Sequence, residues 1–305
     1  LARHLRGYMD AGHETSYLSW RSGVGVIGSM RGALTFRRFD VLRGMSLLAT
    51  LPCLTARLAY GTPFVVSNGA DYQAIARLHG RPAWKWTLVQ RLAMRYAAAV
   101  IVPNGEHAKA LQAKYPHAHA RIKHVPNWVD TEMFTPGGKK DDPPMVLYVG
   151  RLVIEKNLER LARVCRDMKV RLMCLGEGPQ KDLLRALGAQ CPGMWPWEYL
   201  PAMYQRASVF CLPSFTEGHP KALLEAMAVG VPCAVAWGAR GGIVSTGVDC
   251  TSFSPDDAEF MSTAIESLLL KGADEYGFNA RRSAMRYDIR TILPQEIAVV
   301  EGAAR

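Results

Sequence analysis

Along the second half of this chain, short apolar runs alternate with longer stretches whose apolar positions recur at helical spacing. Met145-Val146-Leu147-Tyr148-Val149, Val170 to Leu175, Ser208-Val209-Phe210-Cys211-Leu212 and Val231 to Ala236 read as buried strands. Between and after them, Asn157 to Lys169, Gln180 to Gly188 and the stretch near Asp257 to Leu270 read as helices. A further helix is predicted from about Pro220 to Val229. Pro220 suits the first helical position, and Gly230 ahead of Val231-Pro232 supplies a left-handed cap and a stop. Strands and helices in strict alternation are the pattern of a parallel sheet covered on both faces.

The first half alternates likewise. It predicts a helix at the amino end, strands near Thr15 to Trp20 and Asp40 to Leu42, a helix through Ala59, and a strand at Pro63 to Ser67. A helix over Trp84 to Ala98 and strands at Val100 to Pro103 and Ile122 to Pro126 follow. Thr135 to Pro144 is rich in Pro, Gly and charge and poor in apolar residues, so it reads as a linker. The expectation is α/β architecture with two Rossmann-like, doubly wound domains facing a cleft: 1–138, 139–285, and a terminal helix over 286–305 that returns to the first domain.

Composition narrows the class. At 305 residues, 49% hydrophobic and 21% charged, the chain is long enough for two cores of ordinary size. No apolar run reaches the roughly 18 residues that a membrane-spanning helix needs. The seven cysteines are dispersed and set mostly in apolar segments, which reads as buried thiols in a reducing, cytoplasmic setting and gives no metal site. Charge is uneven: residues 1–130 hold seventeen Lys and Arg against six Asp and Glu, and the remainder holds twenty against twenty-one. A basic first half fits anionic lipid headgroups, a diphosphate-bearing acceptor or nucleic acid, or a set of solvated outer helix faces. The aromatic interleaving of a single-strand binder, a helix-turn-helix and a zinc pattern are all lacking, so nucleic acid is not an expected partner.

The most informative run is Pro213-Ser214-Phe215-Thr216-Glu217-Gly218-His219-Pro220-Lys221-Ala222-Leu223-Leu224-Glu225-Ala226-Met227-Ala228. It places a loop carrying Glu217 between a strand and a helix N-terminus, with Glu225 more than one turn inside the helix. Backbone N–H groups and the positive end of the helix dipole then favour an anion such as a diphosphate in that loop. Two glutamates eight apart also occur as an ordinary solvated pair. With its flanking residues, however, the run resembles the Glu-x7-Glu signature of the retaining glycosyltransferases of family 4, the glycosyl transferases group 1, whose fold is termed GT-B. The resemblance covers nearly the whole chain, strongly from Val125 to Leu270. The amino end through His13-Glu14 resembles the family's first helix and the strand entrance after it, which implies a first domain lacking its first strand.

The resemblance implies a donor site residue by residue. Gly150-Arg151-Leu152 through Lys156-Asn157 is similar to the family's segment after the first strand of the second domain, where Arg151 and Lys156 would neutralise the leaving diphosphate. The physical demand is that negative charge develops on the phosphates as the glycosidic bond breaks, and fixed cations stabilise it most in the transition state. Glu217 would hold hydroxyls of the transferred sugar, and Glu225 those of the ribose. Gly218, His219, Pro220, Lys221 and Leu224 belong to the diphosphate cradle and its helix. Gly176-Glu177-Gly178 resembles a turn that shapes the floor near the nucleoside. In Gly193 to Pro201, Trp195 or Trp197 offers either a ring for the base or an ordinary packing surface. Asn68-Gly69 stands where many members carry a histidine, so Asn68 can hydrogen-bond a sugar hydroxyl but cannot act as a base.

The function so implied is transfer of a hexose from a nucleotide-diphospho-sugar to a glycan or lipid-linked acceptor with retained configuration. No metal and no further cofactor is expected, and the chain would work at the cytoplasmic face of a membrane as a peripheral protein. A sugar-nucleotide epimerase of the same fold and a basic nucleotide-binding module are the alternatives.

Overall fold

The computed structural model describes residues 8–12, 39–270 and 273–304. The strand expected near Thr15 to Trp20 lies outside them. The described chain falls into two compact units, one of residues up to Pro126 together with Arg290 onward, the other Asn127–Ile289.

In chain order the first unit contains β1 (Leu42–Gly44), α1 (Thr50–Tyr60), β2 (Phe64–Ser67), α2 (Tyr72–Leu78), α3 (Trp84–Tyr96), β3 (Ala99–Val102), α4 (Gly105–Lys114) and β4 (Ile122–His124). Its strands pair in parallel in the order β1-β2-β3-β4. Phe64, Val66, Val100 and Val102 are buried with Leu47 and Met94 in one core. Sequence reading missed α2 and α4. Both begin on a side-chain cap, Asp71 accepting from the N–H of Ala74 and Asn104 from that of His107.

The second unit carries β5 (Met145–Val149), α5 (Leu158–Asp167), β6 (Arg171–Leu175), α6 (Lys181–Ala186), β7 (Gln190–Gly193), α7 (Leu200–Arg206), β8 (Val209–Leu212), α8 (Lys221–Val229), β9 (Cys233–Ala236), β10 (Thr251–Phe253), α9 (Ala258–Leu270) and α10 (Ala273–Ala284). Its six parallel strands run β10-β9-β8-β5-β6-β7. The order reverses between β5 and β8, and in open α/β sheets ligands bind beyond the strand carboxyl ends at such a reversal. Strands β5, β8 and β9 are buried along almost their whole length, as their unbroken apolar runs require. All seven cysteines are buried free thiols.

Two boundaries differ from the sequence reading. The units divide at Pro126 and Asn127, ahead of the expected 138/139 border, because Phe134 is fully buried in the second core against Trp197 and Tyr204. The Thr135 to Pro144 run is also anchored, since Asp141 pairs with Arg171 at 2.6 Å and with Arg206 at 2.9 Å. Polar composition signals a linker only when its charges lack partners, and Asp141 has two. The terminal helix, α11 (Ile289–Ala304), joins the first unit from Arg290 onward. There Glu296, buried, accepts from Arg43 at 2.9 Å.

Candidate active site

The loops after β5, β6 and β8 meet at the strand reversal. Gly150 N–H donates to Leu175 O and Leu152 N–H to Glu177 O, so the β5 and β6 loops lie against one another. A Cβ on Gly176 would sit 1.9 Å from Gly150 O, and its φ of +145° is a backbone state that side chains avoid. Glycine there lets two turns touch. On the other side, Phe215 N–H donates to Glu155 O, which ties the β8 loop to the β5 loop.

Lys156 and Glu217 close this junction. Lys156 Nζ lies 2.5 Å from Glu217 Oε1, with side-chain exposures of 13% and 14%. Ser214 Oγ, buried, donates to the same oxygen at 2.8 Å. Glu217 N–H donates to Gly238 O. Among the described residues Glu217 Oε2 has no protein partner, so one oxygen is fixed and the other is available to a ligand hydroxyl. Removing the lysine would leave a largely buried carboxylate unpaired, which costs several kcal/mol in comparable pairs, on the order of 3. Arg151 differs sharply: its side chain is 70% exposed and only touches Glu155 at 3.5 Å. It is a largely exposed cation beside the reversal.

Helix α8 supplies the third component. Pro220 is its N-cap rather than its first residue and offers no side-chain cap, while Gly230 at φ +76° ends it. The first N–H groups of such a helix lie outside its own ladder and point into the β8 loop with the positive end of the dipole. Neighbours overlooked in the sequence hold this turn. Asn127 Nδ2 donates to His219 O at 2.6 Å, and Lys221 Nζ sits 5.0 Å from the Trp128 ring centre.

Glu225 lies on the second turn of α8, half-buried. Tyr204 Oη donates to its Oε2 at 2.9 Å, and the Trp197 indole donates to the same carboxyl. Burial pushes the Glu225 carboxyl up to about 7, against the pull of Tyr204, Trp197 and Lys221 toward ionisation. No ion pair to Glu225 occurs among the described residues.

The remaining expected residues fall into place less uniformly. Gly218 and Pro220 are buried in the loop. The His219 side chain is buried and meets Tyr287 edge-on at 5.2 Å between centroids, so its ring packs. Leu224 is fully buried in the core and its N–H goes to Pro220 O, so it supports the helix and presents nothing to a donor. Glu177 is exposed and paired with Lys181 at 2.7 Å, a hydrogen bond that holds its carboxyl below the usual range. Trp195 is 39% exposed, whereas Trp197 packs against Phe134 and serves Glu225. Asn68 lies in the first unit, just beyond β2. It is fully buried, and neither its amide oxygen nor its nitrogen has a hydrogen-bond partner, although its N–H donates to Ile101 O.

Two variants test this electrostatic description. A carboxyl raised from 4.5 to about 7 favours the fold while protonated and loses that contribution as pH rises through 7. Glu225→Gln should therefore melt higher than wild type near pH 8, by an equivalent of up to about 3 kcal/mol, with the gap closing between pH 7 and 4.5. Equal melting at both ends of that window would show that the carboxyl is not desolvated. A buried amide without partners costs about 1–3 kcal/mol, so Asn68→Leu should leave the melting temperature unchanged or raise it. A fall equivalent to 2 kcal/mol or more, by thermal denaturation, would show that the amide is satisfied in the fold.

Comparison with known proteins agrees with this architecture. Residues 129–285 match the family model for glycosyl transferases group 1, and residues 11–133 that for Glycosyltransferase Family 4. The chain is 29% identical to the sulfoquinovosyl transferase SQD2 of Arabidopsis thaliana over 229 residues, 67% of this chain and 44% of that protein. It thus spans less than half the length of that relative. It is 30% identical to a GDP-mannose-dependent alpha-mannosyltransferase of Mycolicibacterium smegmatis over 280 residues, 82% of this chain and 72% of the other. Among solved structures, Anabaena Alr3699/HepE in complex with UDP and glucose superposes with a TM-score of 0.75 at 16% identity, covering 97% of this chain and 88% of that one, a likeness of fold. Two parallel-sheet α/β units of the GT-B class are the fold expected from the sequence. The chain belongs to the glycosyl transferases group 1 family.

Proposed function

We propose that this chain is a retaining hexosyltransferase that moves a sugar from a nucleotide-diphospho-sugar to a hydroxyl of a glycan or lipid-linked acceptor. The observation that carries the reading is the junction at the strand reversal, where the Lys156 and Glu217 pair, the exposed Arg151 and the N-terminus of α8 converge. Cleaving the bond between the anomeric carbon and a diphosphate leaves one extra negative charge on the departing phosphate. Lys156 and the helix terminus supply positive potential in fixed positions and Arg151 adds an exposed cation beside them, which lowers the barrier more than it tightens ground-state binding. The reading needs no metal, since these groups take the role of a divalent cation on the phosphates.

Glu217 Oε2 would accept from a hydroxyl of the transferred sugar, and Glu225 from the ribose. The family relationship supports the class of reaction, and two of the proteins above support the class of donor: one is named as GDP-mannose-dependent and the other was solved with UDP and glucose. The basic residues of the first half would favour a lipid-linked acceptor at an anionic, cytoplasmic membrane face; no helix among the described residues is long and apolar enough to cross a membrane.

The test pairs a panel of UDP-, GDP- and ADP-sugars with Arg151→Ala. One of the donors should stabilise the wild-type chain and release its nucleoside diphosphate. Because Arg151 is mostly exposed, its removal should alter stability by no more than about 0.5 kcal/mol. Nucleotide release should nonetheless fall on the order of 100-fold. Undiminished release from Arg151→Ala, or epimerised sugar nucleotide in place of transfer, would sink the reading.

A further inference from the structure

We propose that Tyr204 and Trp197 are positioning residues, a pair of neutral donors that favours the ionised form of the Glu225 carboxyl and aims it at the nucleoside end of the donor. The inference rests on the donor reading of Glu225 above and assigns to two aromatic residues a role other than stacking or packing alone.

The geometry is specific. Tyr204 on α7 is fully buried, its ring tilted against Phe210 at 5.8 Å and edge-on to Phe134 at 5.9 Å, so its hydroxyl has little freedom. That hydroxyl has two acceptors within reach, Glu225 Oε2 at 2.9 Å and Ala222 O at 3.2 Å. It has one proton to give. With Glu225 ionised, the proton goes to the carboxylate. With Glu225 protonated, the carboxyl can donate to the phenol oxygen and the phenol to Ala222 O. Trp197, in the short turn Trp197–Tyr199, packs its ring edge-on to Phe134 at 5.6 Å, and its N–H serves the same carboxyl.

Of the nearby charges only Lys221 favours the ionised form, and less than either donor. Lys221, on Glu225's own helix, is one turn away and lies over Trp128. On α7, Arg206 is paired with Asp141. On α10, Arg281 donates to the carbonyls of Phe134 and Ala228, and Asp274, Glu275 and Arg282 are exposed. The adjacent strands β8 and β9 bring only the buried thiols Cys211 and Cys233. Tyr204 is itself pushed well above the usual phenol range by burial and by Glu225, so it remains a donor across the working pH range. Burial alone would keep Glu225 protonated at neutral pH, and both aromatic donors act against that.

The experiment uses the whole chain and the variants Tyr204→Phe and Trp197→Phe, which keep a ring in place and remove one donor. Carbon-13 glutamate NMR of the unliganded protein, with Glu225→Gln for assignment, reads the carboxyl midpoint directly. Calorimetry with UDP, GDP and ADP between pH 6 and 9 reads its consequence. A hydrogen bond to a charged group corresponds to a shift of about one pH unit, so each variant should raise the Glu225 midpoint by about that much. The nucleotide that binds wild type should bind Tyr204→Phe about fivefold more weakly at pH 7, with the difference closing toward pH 9. A structural role alone would lower stability without moving the midpoint. An unmoved midpoint in both variants overturns the proposal even if nucleotide binds. A wild-type chain that binds none of the three nucleotides overturns the donor reading and the aiming role with it, and the NMR midpoint tells the two failures apart. Undiminished binding by Trp197→Phe with an unmoved midpoint would return Trp197 to stacking or packing.

Discussion

The ion pair between Lys156 and Glu217 joins the loops after β5 and β8 where the strand order reverses, at the point from which the chain enters α8. Its geometry is asymmetric. One carboxylate oxygen is held by Lys156 and Ser214 while the other is available, so the pair both fixes the loop and leaves an acceptor for ligand. The same loop delivers the chain to the N-cap of α8. Holding Glu217 therefore also aims a helix dipole.

A second constraint is backbone contact. Gly176 lets the β6 turn approach Gly150 O to a distance no side chain permits, and the next residue after Gly150, Arg151, is largely exposed. The site thus holds two kinds of cation: one locked in a pair and one largely exposed. That division suits a diphosphate whose charge grows during reaction, because the locked charge costs no reorganisation and the exposed one is accessible to the leaving group.

Much of the second unit was legible in sequence because its signals are local. Unbroken apolar runs gave β5 and β8 to within a residue, and Pro220 with Gly230 bracketed α8. The chemistry of Glu225 was not legible. Its two donors come from Tyr204 and Trp197, twenty-one and twenty-eight residues upstream, and Trp197 reads as a packing or stacking ring until the fold turns its N–H inward. The domain border failed for a related reason: Asp141 looks like solvated linker until Arg171 and Arg206 arrive from elsewhere. Asn68 was legible as a substitution for histidine, but only burial shows that its amide has no partner. Long-range polar pairing, unlike hydrophobic periodicity, leaves no spacing in the chain.

The central claim is that this junction and α8 together hold a nucleoside diphosphate. A crystal structure of the chain with the nucleoside diphosphate that stabilises it most tests this directly. The phosphates should lie within hydrogen-bond distance of Arg151, Lys156 and the first N–H groups of α8, with the ribose hydroxyls on Glu225. A nucleotide bound elsewhere, or a ribose that does not touch Glu225, would contradict the account.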